Sequence, residues 1–532
     1  MSRDSTARPT ERSTRPTKSW NKEDLYPVIS GVMLALSFPP IGLMPLAFVA
    51  LVPLFFYLRQ PASFRRTMRA GALTAAFFFG IHISFLVATG RYAWFAFPGY
   101  LAIVGFHICN FFVFILAVVI FRSYLSMPFL YTAPFAWITC ERLRAVGDTA
   151  FPWSALGYSL TNIPFLAQFA DLVGVYGVSF WLVVLNVLLF ETILAGRHTA
   201  RRRKYVVLFL IVFGGVNIYN AVRWFQGIGP VSGQIRVAVL QPNIPQKIKW
   251  DERYSREILK KIFAMNQQAS RNSSDLVIWP ETAIPYYIDE TQPFNLTEMG
   301  ELPPGNTHIL TGILDHFRDS YGRAHYYNAA FLFDSRGVML AKYKKIILVP
   351  GSERYPYRDV IGFTRPFFQL QRVSSGAMDP GTEATVFTIP GGKFSVMICY
   401  ESGFPDLVRA FRRAGANFLV NITNDAWFGR SLAPYQQASF LVLRAIENRS
   451  AIVRCANTGV SGFVDPLGRW QHRTDIFTQG IISSTVPVTQ RLTFYTRFGD
   501  LILYLSYPVL VGFFLMALAK KYSIALPGRR SR

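Results

Sequence analysis

The sequence predicts two unlike parts: a helical membrane domain of about eight spans, and an α/β domain set between the seventh span and the last. Three observations carry that expectation. Hydrophobic residues make up 51% of the 532 and charged residues only 16%, too apolar a balance for an ordinary soluble chain. The basic excess, formally +24, is gathered in Met1 to Lys22, Arg59 to Arg69, Arg197 to Lys204 and Lys520 to Arg532, each beside an apolar run. From about Gln234 to Gln490 the composition turns globular, with short apolar runs separated by Gly and Pro turns.

The spans follow in order. The first two lie near Tyr26–Pro39 and Met44–Tyr57, joined by Phe38-Pro-Pro-Ile-Gly42. Both are short for a hydrocarbon layer of roughly 30 Å, so tilting or a bent hairpin is expected. The next five are expected near Gly71–Thr89, Tyr100–Phe121, Phe129–Arg144, Val173–Leu194 and Tyr205–Val222. The eighth is expected near Leu501–Ala519, interrupted by Pro508. No cleavable signal peptide is evident, so the first run is expected to stay as an anchor. The division is a basic tail (1–23), a membrane domain (24–225), an α/β domain (233–490), a last span (498–520) and a second basic tail (521–532). The first tail is polar and expected to be disordered.

So basic a chain invites a nucleic-acid reading. The placement of the charge argues instead for the positive-inside rule, with no nucleic-acid partner. The four basic clusters put both termini and two loops on the cytoplasmic side. The α/β domain then lies on the other face. The loop Val146–Tyr158 lies there too, and reads either as an interfacial aromatic belt or as a lining for a lipid. Glu141 and Arg142, at the end of a span, are expected to pair with each other or with this loop.

Within the α/β domain, strands are expected at Ile235–Leu240, Leu276–Trp279, His308–Leu314, Asn328–Phe333, Val338–Tyr343, Phe394–Ile398 and Phe418–Ile422. Helices are expected at Glu252–Asn266 and from near Pro434 through Asn448. Two apolar runs end in polar chemistry, Leu276-Val-Ile-Trp-Pro-Glu281 and Ser395-Val-Met-Ile-Cys-Tyr-Glu401, and Tyr343-Lys-Lys-Ile-Ile-Leu-Val-Pro350 puts an ammonium beside a third. Strand ends are where α/β folds place functional groups. A carboxylate, an ammonium and a thiol are the parts of a general base, an oxyanion stabiliser and a nucleophile. Singly, each has an ordinary reading. Cys399 suits a packed strand, Glu281 a cap, and Lys345 a solvated basic edge with Lys342 and Lys344. A strand alternates faces, so only one of Lys344 and Lys345 can enter a shared site, and register favours Lys345. The four cysteines, Cys109, Cys140, Cys399 and Cys455, contain no C-x-x-C. The histidines are too scattered to ligate a metal, and neither a metal nor a cofactor is expected.

Together the motifs resemble the nitrilase (carbon–nitrogen hydrolase) superfamily, in its membrane-bound acyltransferase branch. They are Gln241-Pro-Asn-Ile-Pro-Gln-Lys-Ile-Lys-Trp-Asp251, Trp279-Pro-Glu-Thr-Ala-Ile-Pro285, Tyr343–Pro350 with Glu353, Ile398-Cys-Tyr-Glu401 and Asn424-Asp-Ala-Trp-Phe-Gly429. Phe151-Pro-Trp153 and Leu156-Gly-Tyr158 fit as well, and only the tails are uncovered. The resemblance implies an α-β-β-α sandwich beside the multi-span helices. It implies Glu281 as base, Lys345 as oxyanion stabiliser and Cys399 as nucleophile. Glu353 would orient the lysine, with Tyr400, Glu401, Trp250 and Asn328 supporting the site. Family members often read Lys-x-His-Leu-Val-Pro-Phe-Gly-Glu. Here Ile347 replaces the His and Gly351-Ser352 the Phe-Gly, which bears on packing beside Glu353.

The implied reaction is a ping-pong acyl transfer through a Cys399 thioester. The donor is a phospholipid, expected to be phosphatidylethanolamine, and the acceptor the N-terminal S-diacylglyceryl-cysteine of a lipoprotein. The chain is expected to act as a monomer in a bacterial inner membrane, with its catalytic domain periplasmic. A thiol with pKa about 8.5 needs a base and a cation to act at neutral pH. A dry site at the bilayer surface would spare the thioester from water. Two rivals are a membrane-tethered amidase, with water as acceptor, and a transporter or receptor with an outer binding domain. The latter would want charged residues in mid-span and internal symmetry, of which the sequence shows little.

Overall fold

The computed structural model describes residues 21–525, apart from 61–62, 92–95, 272–273, 290–291, 293, 355 and 358–377. The N-terminal tail before residue 21 and residues 526–532 of the second basic tail lie outside the described residues.

The membrane half is helical: α1 (Leu25–Leu36), α2 (Val52–Leu58), α3 (Phe64–His82), α4 (Phe85–Ala88), α5 (Ala96–Leu125), α6 (Phe129–Leu143), α7 (Ala170–Leu194) and α8 (Thr199–Phe225). Among the described residues, four helices are long and apolar enough to cross a bilayer: α5, α7, α8 and the last helix, over Leu501–Tyr522. The other expected spans correspond to α1, to Met44–Leu58, to α3 with α4, and to α6. These are shorter, except α3, whose first turns carry Arg65, Arg66 and Arg69. The faces of α8 and of the last helix present Leu210, Ile211, Ile218, Leu505, Val511 and Leu515 outward. Exposed apolar area of that extent belongs in lipid.

Two basic clusters expected in loops belong partly to helices. Arg201 to Lys204 ride on the first turns of α8, where Arg201 pairs with Glu191 at 2.9 Å. Arg66 and Arg69 on α3 pair with Glu23 and Asp24 at 2.6 and 2.8 Å. Helix α7 bends at Gly174, whose φ of 65° suits glycine; a Cβ there would meet the Tyr495 ring and the Asp500 carboxylate.

The α/β half runs β1 (Gly233–Gln241), α9 (Gln246–Lys249), α10 (Glu252–Ser270), β2 (Leu276–Ile278), β3 (Ile284–Asp289), β4 (His308–Arg318), β5 (Ala324–Phe333) and β6 (Met339–Lys344). It continues with β7 (Phe387–Ile389), β8 (Gly392–Ile398), α11 (Pro405–Arg413), β9 (Phe418–Thr423), α12 (Ala433–Asn448), β10 (Ile452–Ala456), β11 (Gly462–Val464), β12 (Trp470–Gln471) and β13 (Gly480–Val488). The short helix α13 (Phe494–Phe498) and the long helix α14 (Leu501–Ala525) return the chain to the membrane half. The expected break at Pro508 does not occur, and α14 continues through it. A lipid-facing helix tolerates the lost N–H where neighbours satisfy the freed carbonyls.

One sheet has the order β13-β1-β2-β4-β5-β6, with β3 added to β4; the other is β12-β11-β10-β9-β8-β7. Strand β1 shows why they stack. Ile235, Val237 and Val239 point into the core shared with Val396, Ile398, Val420 and Val453, while Ala238 and Leu240 face α10. The layers are thus α10, sheet, sheet, then α11 and α12, the expected sandwich. Phe440, Leu443 and Ile446 of α12 share a core with α7 and the loop after α6, fastening the sandwich to the bundle.

In that loop Pro152, Trp153, Leu156 and Tyr158 are buried in protein, while Val146, Gly147 and Asp148 at its start are exposed. Glu141 accepts from Leu156 N at 2.7 Å, as expected of a pairing with the loop. Arg142 departs from expectation by pairing across to Asp406 on α11 at 2.8 Å.

Candidate active site

β1 runs parallel to β2, and β8, β9 and β10 run parallel to one another. Their carboxyl ends release the chain at one edge of the sandwich, where α/β folds bind ligands. Glu281 lies three residues after β2, Cys399 one after β8, and Asn424 one after β9. Two of these turns are held in left-handed backbone: Cys399 at φ 53° and Thr282 at φ 48°. Non-glycine residues there store strain that the surrounding structure must hold.

Lys345 follows β6 and is 1% exposed. Its Nζ lies 2.9 Å from the Glu353 carboxylate and 3.7 Å from Glu281 Oε1. Asn328 on β5 donates to both acids, at 2.7 Å to Glu281 and 2.9 Å to Glu353. The other oxygen of Glu281 accepts from the backbone N–H of Asn424 at 2.7 Å. Burial opposes the charge on Lys345, but Glu353 and then Glu281 outweigh it and hold the amine above the ordinary lysine range. Lys344, one residue earlier, points the other way, its ammonium 4.0 Å from the centre of the Tyr327 ring. Alternation therefore separates the two lysines as expected.

Cys399 keeps partial exposure. Gln437 of α12 donates to its Sγ at 3.5 Å. Dry surroundings push the thiol up to about 12; the Glu281 charge adds to this, and Lys345 works against it. The resting group is therefore a thiol beside a carboxylate and a fixed ammonium. That set can move a proton from sulfur, attack a carbonyl and hold the oxyanion that results.

Glu401 ties the Cys399 turn to the lysine strand. Its Oε1 accepts from Tyr343 Oη, Ile346 N and Ile347 N at 2.7, 2.7 and 3.1 Å, and Oε2 accepts from Ile398 N at 2.7 Å. Burial raises it to about 7, against Lys345 and those four donors. Tyr400 donates to the carbonyl of Ala150 at 2.5 Å, and its ring stacks 6.2 Å from that of Trp153. Trp250 packs with Leu314, Leu348 and Met378. Glu353 also accepts from Val349 N at 2.8 Å, so the lysine–acid pair is intact despite the changed residues between them. Ile347, standing for the family's histidine, packs against the core shared with the membrane helices.

All eight residues singled out in the sequence thus lie in or beside one site. Three contributors were not foreseen. Asn424 acts through its backbone, which no side-chain pattern reveals, although its motif was among those quoted. Gln437 reaches the thiol only because α12 lies across the sheet. Lys249, beside the expected Trp250, is buried, and its Nζ donates to the Glu281 carbonyl at 3.0 Å. Among the described residues, no group of three His, Cys, Asp or Glu side chains is placed to hold a metal ion.

The carbon-nitrogen hydrolase family model matches residues 236–492, and the model of the apolipoprotein N-acyltransferase N-terminal domain matches residues 30–188. An apolipoprotein N-acyltransferase from Geobacter metallireducens is 34% identical over 487 residues, covering 90% of this chain and 92% of its own. One from Chlorobaculum tepidum is 34% identical over 511 residues, covering 91% and 94%. One from Rhodopseudomonas palustris is 29% identical over 515 residues, covering 90% and 92%.

Proposed function

The chain belongs to the apolipoprotein N-acyltransferase family, and from that premise we propose how its residues carry out lipoprotein N-acylation. Glu281 is the base, Cys399 the nucleophile and Lys345 the oxyanion stabiliser. The observation that carries this reading is the Lys345 ammonium, held between Glu281 and Glu353 within electrostatic reach of the Cys399 thiol.

In the first half-reaction the Cys399 proton passes to Glu281 while sulfur attacks the ester carbonyl of a phospholipid. The developing oxyanion lies against Lys345. Collapse breaks the acyl C–O bond, and the departing glycerol oxygen takes the proton back from Glu281. The enzyme is left as a thioester. In the second half-reaction the α-amine of a diacylglyceryl-cysteine attacks that carbonyl. Its proton moves to Glu281, the C–S bond breaks, and the thiolate recovers the proton. Phosphatidylethanolamine is the donor this reading takes.

The chain works as a monomer in the inner membrane of a bacterium. Residues 24–225 and 498–520 form its eight-span membrane domain, both basic tails are cytoplasmic, and the catalytic domain (233–490) is periplasmic. Support comes from the basic residues gathered at one end of the helices and from the apolar faces of α8 and α14.

Intact-mass analysis of the full chain incubated with phospholipid tests the mechanism. The expected result is one acyl adduct on the wild type and none on Cys399→Ala. An adduct of equal yield on the variant would remove Cys399 from the reaction. Release of free acid with no N-acylated peptide on adding acceptor would favour the amidase instead.

A further inference from the structure

The active site holds a second buried lysine. Lys249 closes the short helix α9 and is 2% exposed. Its Nζ donates to the Glu281 carbonyl at 3.0 Å and lies 5.7 Å from the centre of the Trp250 ring. Among the described residues it makes no ion pair. The charges that face it come from other elements: Glu281 after β2 and, more weakly, Cys399 after β8. Lys345 meets the same Glu281 at its carboxylate. Asp251, two residues on, turns away to Arg253.

The two lysines are driven apart by their surroundings. Lys345 has two carboxylates and keeps its charge. Lys249 has only a carbonyl, and burial brings it down to about 7, against Glu281 and then Cys399. Groups pushed apart in this way commonly divide the proton chemistry of a site between them.

We propose that Lys249 is a positioning residue whose charge gates proton transfer from Cys399 to Glu281, the neutral amine permitting the step and the ammonium opposing it. This rests on the assignment of Cys399 and Glu281 above. When the S–H bond breaks and the proton joins a Glu281 oxygen, negative charge leaves Glu281 for sulfur and then for the ester oxygen. An ammonium at Lys249 attracts Glu281 more than Cys399, so it holds that charge where it starts. A neutral amine exerts no such hold and still has an N–H to give the Glu281 carbonyl, so the turn stays in place.

The test is single-turnover formation of the acyl-enzyme by the full chain with phospholipid, followed by intact mass at about pH 6 and about pH 8. No acceptor is added, so its α-amine plays no part. The wild type should speed up about tenfold between the two, as one ionisation near neutrality requires. Lys249→Met, permanently neutral, should be equally fast at both and close to the wild type's upper rate. Lys249→Arg, permanently charged, should be slow at both. The ratio of the two pH values is taken within one protein, so a partly folded fraction cancels from it. If Lys249→Met does not fold, Lys249→Gln must give the same flat profile. A rise that survives in these variants overturns the proposal and assigns the ionisation elsewhere, with Glu401 first in line. Equal slowing of Met and Arg variants, with the rise intact, would leave Lys249 a packing residue. Absence of any Cys399 adduct on the wild type would instead sink the underlying mechanism.

Discussion

Lys345 and Glu401 show how single residues hold this site. Lys345 is a cation set between two buried acids, Glu281 and Glu353. Lys345→Met removes the charge and leaves both carboxylates without it. Acyl-enzyme formation should fall about 10²- to 10³-fold, the cost of losing one oxyanion donor. Thermal unfolding should report a loss of about 3–5 kcal/mol, because buried charges are left unpaired. Glu401 accepts four hydrogen bonds and donates none. Glu401→Gln must turn its NH2 group toward a donor, so about 1–3 kcal/mol should be lost. The pH dependence should change as well. Burial raises the folded carboxyl to about 7 from an ordinary 4.5. Below its unfolded pKa this group's stabilising contribution is fully present, and it is lost as pH rises through about 7. Unfolding midpoints of the variant should therefore fall less steeply across that range than those of the wild type.

At the scale of elements, β4 carries the turn that presents Glu281. Gly312 lies directly beneath it: a Cβ there would come within 2.5 Å of Thr282 N and 2.6 Å of Glu281 Cα. Gly312→Ala should cost about 1–3 kcal/mol by overpacking. It should lower acyl-enzyme formation about 10²-fold, the usual effect of a displacement near 1 Å. A variant that folds normally and reacts at the wild-type rate would show that the turn is not held by β4. Much at this scale was legible beforehand. Apolar runs of four to six residues bounded by Gly and Pro gave the inner strands, and alternation chose Lys345 over Lys344. The strand β10 escaped because Arg454 interrupts its apolar pattern. Its guanidinium is neutralised by Asp425 at 2.8 Å, a partner distant in sequence. Lys249 escaped for the same reason: in the sequence it is one of several basic residues, and only the fold buries it. Sequence rules read local periodicity, whereas these residues take their meaning from neighbours that long-range pairing supplies.

At the scale of the molecule, the sandwich and the helices are joined by polar contacts as well as by the shared core. Arg449 caps α12 and reaches into the membrane half, pairing with Asp171 at 2.9 Å and donating to Gln168 at 2.6 Å. Glu447 accepts from Val175 N at 2.9 Å. Arg449→Ala should lower stability by about 3 kcal/mol, since it opens a buried pair. Thermal unfolding in detergent should show this as an earlier transition, and an unchanged midpoint would mean that the Arg449–Asp171 pair does not help hold the two halves together.

The bond from Tyr400 to Ala150, with Trp153 stacked behind it, has one more consequence. The residue after Cys399 is anchored on a loop that the other half of the protein supplies. Residues 233–490 expressed alone would keep every reacting atom yet lose the wall against which they are braced. Chimeras that pair this sandwich with a relative's helices should work only when the donor of the helices also supplies a matching 150–158 segment.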